Sequence, residues 1–304
     1  MIRLEAGDWR AELEPRLGGA ILGLTYRGRP ILRPTPQGAD DPLQTACFPL
    51  VPYANRIDHG RFRFEGQAHD VGATPGFEPH ALHGVGWRTA WTATQVDARA
   101  AVLTLRHAAG ADWPWAFEAE QRLVLSDEGL SIALSLTNRD DRPAPAGVGL
   151  HPYFHRPFDA RLTLAAPRVW LSADLIPQEL APADALFDWS RGPRVADAPF
   201  VDNAYDGWTG EARLASSDGV AVIDAPGVDR VHVYAPKGAD FVCIEPVTHR
   251  PDALNAPGGE ASGLVVLQPG HSVSLSMRIG VAPEPMPEAM TEAPPPLPPS
   301  AAGP

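Results

Sequence analysis

The sequence predicts an all-β protein built around a large antiparallel β-sandwich or barrel-like domain, and three observations carry that expectation. Short runs alternate apolar and polar residues with a period of two. Prolines and glycines, 34 and 28 of 304 residues, punctuate those runs at close spacing. No stretch longer than about ten residues keeps the i, i+3, i+4, i+7 spacing of an amphipathic helix. Ala101–His107 is the first such run. Leu123-Val124-Leu125 and Leu130–Leu136 flank Ser126-Asp127-Glu128-Gly129, and alternation on both sides of a Gly-containing turn is a hairpin signal. Arg161–Leu164, Val169–Leu171, Val220–Asp224, Val231–Tyr234 and Phe241–Glu245 repeat the grammar. Leu264–Leu267, a turn at Gln268-Pro269-Gly270-His271, and Val273–Ile279 close the series. Strands so closely spaced by turn signals indicate one β domain over residues 1–281. Nine of the prolines fall after Ala282, in a segment with three Glu and no Lys or Arg. Residues 282–304 offer little apolar surface to set against their ordering entropy, so a disordered tail is expected there. No internal repeat is visible.

Composition excludes several function classes. Twenty-five Lys+Arg against 37 Asp+Glu leave a net charge of −12, the wrong sign for a protein that neutralises nucleic-acid phosphates. No apolar run approaches the roughly 20 residues that span a bilayer. Met1–Asp8 contains no apolar core of a secretory signal. With 44% apolar residues the chain has material for a large core. Cys47 and Cys243 sit in apolar runs and make no disulfide framework, which fits buried, inert thiols and a reducing, cytoplasmic compartment. Monomer and homodimer both remain open.

Chemistry-bearing residues gather where strands end, the usual place for a site held by a rigid scaffold. In Phe48–Ile57 an apolar, proline-bounded run delivers Asn55 and Arg56, an amide beside a fork of guanidinium donors, both suited to the hydroxyls of a polyol. Ala81–Trp87 places His83 next to Gly84, with Gly86 close by; Gly147–Phe154 places His151 after another glycine-rich run. Glycines beside an imidazole let the backbone come close to what the His faces. In Phe241–Thr248 an apolar strand ends on Glu245, immediately before a proline that stops the ladder. A carboxyl beside Ile and Val is desolvated, which raises its pKa toward the range of a general base. Phe200–Trp208 adds Asp202 and aromatics fit to stack on a sugar ring. His80-x-x-His83 and His151-x3-His155 have metal-ligand spacing, with Glu245 available to complete a set. Against a metal stand Pro79, which precedes one pair, Pro152 and Pro157, which interrupt the other, and the lack of an H-E-x-x-H helix or Cys-x-x-Cys. No metal and no cofactor are expected. There is no phosphate loop, dinucleotide fingerprint or Gly-x-Ser-x-Gly elbow, so hydride transfer and serine hydrolysis have no support.

In this order the segments resemble the aldose 1-epimerase (galactose mutarotase) family. The likeness is carried by Pro52-Tyr53-Ala54-Asn55-Arg56-Ile57, Leu82-His83-Gly84, Gly149-Leu150-His151-Pro152-Tyr153-Phe154, Asp202-Asn203 and Cys243-Ile244-Glu245-Pro246, extended by Pro251-Asp252-Ala253. It runs from about Leu17-Gly18-Gly19 to Gln268-Pro269-Gly270, nearly all of the chain before the tail. The resemblance implies the family's large antiparallel supersandwich and a free monosaccharide as substrate. It implies Glu245 as general base, His151 as general acid, and Asn55, Arg56, His83 and Asp202 as sugar-binding positions. Two departures set this chain apart: His83-Gly84-Val85-Gly86-Trp87 where many members have a double glycine after the His, and Pro52-Tyr53-Ala54 before Asn55, closer to a bacterial branch. The reaction type therefore transfers better than the identity of the sugar.

The implied chemistry accounts for the residue types. Interconverting anomers requires opening the hemiacetal, rotating about C1–C2 and closing on the other face. A base takes the C1 hydroxyl proton while an acid protonates the ring oxygen, each contributing roughly 10²–10⁴-fold. Three other readings remain at this level. A glycoside hydrolase would pair Asp202 with Glu245; a hexose-6-phosphate 1-epimerase would need a further cationic cluster; a non-catalytic sugar-binding module would need no acid and base together.

Overall fold

Burial alternates along the strands as the pattern requires. In Phe117–Ser126 and Gly129–Asn138 every second side chain is buried, and the two strands pair from Phe117–Asn138 to Ser126–Gly129 without a slip. The turn between them closes on Gly129 at φ 127°, where a Cβ would approach the Ile279 carbonyl oxygen to 2.1 Å. Only glycine fits there.

The computed structural model describes residues 1–256 and 262–282. Its largest sheet is antiparallel and eight-stranded, in the order Thr92–Val96, Ala100–His107, Phe117–Ser126, Gly129–Asn138, Ser272–Val281, Gly219–Asp224, Glu211–Ser216, Arg161–Leu164. A six-stranded antiparallel sheet runs Tyr153–His155, Phe241–Pro246, Arg230–Ala235, Val201–Asp206, Arg168–Ala173, Ile176–Pro182. Four N-terminal strands, Ile2–Ala6, Trp9–Glu14, Ala20–Tyr26 and Arg29–Pro30, form a third sheet that the sequence reading did not resolve. Every strand expected from alternation is present. Among the described residues there is no α-helix, only short 3₁₀ turns, and no helix long and apolar enough to cross a membrane. The expected tail lies outside the described residues beyond Ala282.

One continuous core joins the sheets: Leu123, Leu134 and Ile279 from the first, Val169, Tyr205, Val231 and Ile244 from the second, Leu4, Leu13 and Leu24 from the third. The protein is an all-β antiparallel sandwich. Cys47 and Cys243 are both buried and unbonded, and burial pushes both thiols above their usual range.

Strand register sorts the six-stranded sheet into two faces. Val169, Tyr205, Val231, Val233 and Ile244 point into the core. Because side chains alternate, their neighbours Trp170, Ala204, His232 and Glu245 share the opposite face, with Ala204 paired to His232 and His232 paired to Glu245. That second face is not open to water. A smaller cluster, including Phe48, Leu50, Trp87, Tyr153 and Cys243, packs on it, and it is there that the polar residues converge.

Candidate active site

Short pairings, not long strands, bring the sequence motifs together. Pro49–Leu50 pairs with Gly149–Leu150, and the His151 N–H donates to the Phe48 carbonyl at 3.0 Å. Arg56–Ile57 pairs with Ala81–Leu82. Asn55 and His83 both take left-handed backbone conformations, φ 58° and 60°. They lock to each other: the His83 N–H donates to the Asn55 carbonyl at 2.8 Å, and the Asn55 N–H donates to His83 Nδ1 at 2.9 Å. His83 is therefore neutral with its proton on Nε2. Gly84, at φ 68°, lies so close to Val51 that a Cβ would stand 2.4 Å from the Val51 carbonyl oxygen. The glycines of this motif thus serve the approach of one loop to another, and not, as the sequence suggested, an approach to whatever the imidazole faces.

All six residues singled out from the sequence lie in one buried group. His151 Nε2 is 3.3 Å from Glu245 Oε1. Arg56 Nη2 is 3.5 Å from Asp202 Oδ2, and the Asn55 side-chain oxygen accepts the Arg56 N–H at 2.9 Å. The His83 and His151 rings meet edge to face with centroids 5.3 Å apart. A seventh residue, His232, joins them. Its Nε2 donates to Asp202 Oδ1 at 2.6 Å, leaving Nδ1 to accept from Asn55 Nδ2 at 3.3 Å. The available signal was a lone His at an alternate position of the Val231–Tyr234 strand, in register with Glu245, and register is what a sequence alone does not show.

Electrostatics set the protonation of the group. Burial first, and then the Asp202 charge, hold the Glu245 carboxyl well above the usual carboxylate range against the pull of Arg56. Burial, followed by the neighbouring His232 and Arg33, pushes His151 down to about 3. Burial and the neighbouring His151 and Arg56 keep His83 far below the usual imidazole value. Asp202 behaves differently. Burial pushes it up, yet the hydrogen bond from His232 and the nearby Arg56 charge leave it below its ordinary value. The His151–Glu245 pair accordingly rests as neutral imidazole and carboxylic acid, sharing one proton, because a desolvated ion pair costs more than it returns. His151 Nδ1 is buried without a hydrogen-bond partner among the described residues.

The aldose 1-epimerase profile matches residues 2–280. The chain belongs to the aldose 1-epimerase family. Within it, the chain is 29% identical over 290 residues to the protein YphB of Escherichia coli K12, covering 87% of this chain and 93% of that one. A candidate aldose 1-epimerase of known structure, also from Escherichia coli K12, superposes with a TM-score of 0.84 at 27% identity, over 92% and 98% of the two chains. A galactose mutarotase-like protein from Clostridium acetobutylicum gives 0.82 at 19% identity, over 92% and 94%, and shares the fold. Membership places the chain among sugar epimerases, isomerases that act on monosaccharides.

Two expectations change at this site. Two of the aromatics of Phe200–Trp208 do not line it: Tyr205 faces the core and donates to the Phe187 carbonyl, and Trp208 is buried with its indole N–H on the Glu211 carbonyl, whereas Phe200 is half exposed and meets Tyr234 edge to face. Period two puts Tyr205 on the opposite face from Asp202, so the strand that presents the carboxylate hides the ring. Tyr153 stacks on His151 at 4.6 Å and Phe48 packs on it at a tilt at 4.7 Å, both buried, with the Arg33 guanidinium 3.5 Å over Tyr153. The metal-like sequence spacings also come apart. His80 groups with Asp58 and His59, while His83 joins His151; His151, Cys243 and Glu245 form the other cluster with converging ligand atoms. In that cluster burial raises the Cys243 thiol and the Glu245 carboxyl above their usual ranges, so an ion bound there would have to displace their protons.

Proposed function

We propose that this chain is a mutarotase that interconverts the α and β anomers of a free aldose through ring opening and closure. The observation that carries the reading is the buried His151–Glu245 pair, with Nε2 and Oε1 3.3 Å apart and a single proton between them. Glu245 is the base at the C1 hydroxyl and His151 the acid at the ring oxygen. In ring opening a proton leaves O1 for Glu245 as another passes from His151 to the ring oxygen; the C1–O5 bond breaks and C1 becomes a carbonyl. After rotation about C1–C2 the same transfers run backwards on the other face. The pair starts and ends with the same number of protons, so no outside acid or base is consumed. Entering this cycle moves the resting proton from Glu245 to His151, a shift that sugar hydroxyls at the pair favour by hydrogen-bonding to the carboxylate. Asn55, Arg56, His83 and Asp202 hold the remaining hydroxyls, so that the open aldehyde turns without leaving. A glycoside hydrolase built on Asp202 and Glu245 would give His151 no task.

The test is anomer exchange by polarimetry on freshly dissolved α-D-glucose and α-D-galactose, with and without EDTA. The protein is expected to speed the approach to an unchanged final rotation in both conditions. Glu245→Gln and His151→Asn should each remove that acceleration with the thermal transition retained. Near-normal exchange in either variant overturns the assignment.

A further inference from the structure

On the same sheet face, beyond Asp202, lies a cavity of about 690 Å³ lined by Arg168, Trp170, Asp206, Arg230, Arg250 and Asp252 among others. Its carboxylates are already matched. Asp206 accepts from Arg168 at 3.2 Å and from the Gly207 N–H at 3.1 Å, and Asp229 accepts from Arg230 at 2.7 Å. Asp252 accepts from the Asp58 N–H and from Asn255, while Asp58 faces His59 at 2.8 Å. Arg250 is different. It is only 8% exposed, its guanidinium carbon lies 4.5 Å over the centre of the Trp170 ring, and it makes no side-chain hydrogen bond or ion pair with any described residue, the Asp252 carboxylate acting on it only through its field. Its backbone is fixed, the N–H donating to Ser262 and the carbonyl accepting from His249. The Trp170 indole N–H is likewise buried without a partner. Two stacked donors, one of them charged, thus stand unanswered in a cavity whose acceptors are spent.

We propose that this cavity is a subsite for an oxyanion carried by the sugar, a carboxylate or a phosphate, held by the Arg250 guanidinium and the Trp170 indole N–H. A buried guanidinium is costly unless a hydrogen-bonded anion answers it, and its planar fork matches two oxygens of either group. The Trp170 ring holds that fork in one plane. Placement suits a substituent on the same ring that the catalytic pair engages. One residue on from the Val169–Tyr205 pair, Trp170 falls level with Ala204, His232 and Glu245, about 14 Å from Glu245 at the backbone for three strand spacings. Side chains from both ends narrow that gap. Arg56 is already committed to Asp202 and Asn55, so Arg250 supplies the separate cation that a charged sugar requires. The inference deepens the mutarotase reading and rests on it for the position of C1.

The experiment compares anomer exchange of D-glucose, D-glucuronate and D-glucose 6-phosphate by wild type, Arg250→Gln and Trp170→Phe, with binding of the same sugars by calorimetry. Wild type is expected to favour one charged sugar over glucose in kcat/KM. Arg250→Gln should lower that charged-sugar value roughly tenfold to a hundredfold while glucose exchange is unchanged; Trp170→Phe, which keeps the ring, should show a smaller loss of the same kind. Preference for glucuronate assigns the subsite to a carboxylate, and preference for the 6-phosphate assigns it to a phosphate. Equal treatment of all three sugars by wild type and Arg250→Gln overturns the subsite and leaves the mutarotase reading intact. If no sugar is exchanged, the mutarotase reading fails, and calorimetry alone decides the subsite: Arg250-dependent binding of a charged sugar upholds it, and its absence overturns it.

Discussion

His232 shows how one side chain can govern a site without reaching the reacting atoms. It donates to Asp202 and accepts from Asn55, so it sets the orientation of two groups to which the proposed function gives the sugar hydroxyls. Replacing it with Phe keeps the ring volume and removes both bonds. We expect a loss of roughly a hundredfold in kcat/KM, expressed mainly in KM, because the His151–Glu245 pair itself is untouched. Steady-state polarimetry at varied sugar concentration separates the two terms. An unchanged KM with a lowered kcat would instead place His232 in the proton transfers. Asn55 and Arg56 were legible in the sequence because an amide next to a guanidinium is unusual after an apolar run. His232 was not, because a lone His among Val residues reads equally well as a packed ring.

Among the elements, the two-residue strands matter more to the site than the long ones. Gly84 bridges to Val51 in the parallel sense, and that contact seats the loop bearing His83 against the loop bearing Asn55. Gly84→Ala must hold a left-handed backbone, costing about 1–3 kcal/mol, and must also part the two loops to relieve the overlap with the Val51 carbonyl. We expect a lower urea midpoint together with reduced anomer exchange; stability lost with exchange intact would show that the bridge does not seat the site. The long strands were readable from alternation since each has a buried face and a wet one. The pieces at Pro49–Leu50, Arg56–Ile57, Ala81–Leu82 and Gly149–Leu150 are buried throughout or nearly so. They are also only two residues long, so they carry no period to detect.

For the whole molecule, buried neutral histidines couple stability to pH. His249 is pushed down to about 4, chiefly by burial, and His83 lies far below its usual 6.5. When pH falls below 6.5 the unfolded chain binds protons on both, while the folded chain does not, so stability drops. The His151–Glu245 pair adds little there, since it holds one proton folded, on Glu245, and one unfolded, on His151. Each such proton is worth about 1.4 kcal/mol per pH unit where only the unfolded chain binds it, so stability falls as pH drops below 6.5. Glu245 acts in the opposite sense: with its carboxyl held above the usual range, the stability it contributes is lost as pH rises through its folded value. Urea midpoints should therefore fall from pH 6.5 to pH 4.5. Midpoints unchanged over that range would mean that the buried histidines are already protonated in the folded protein.

The sequence by itself determined the all-β class, the main strands, the two buried thiols and the six polar residues that meet in the site. Those depend on period-two alternation and on residue chemistry, both of which are local. Tertiary structure decided which face each strand turns to the site, and so moved Tyr205 and Trp208 away from it and brought His232 in. It also split the His80–His83 spacing between two clusters and left Arg250 over Trp170 without an ion pair to any described residue. Such facts depend on register between strands far apart in the chain and on how much water burial removes. Neither quantity is encoded in any short stretch of residues.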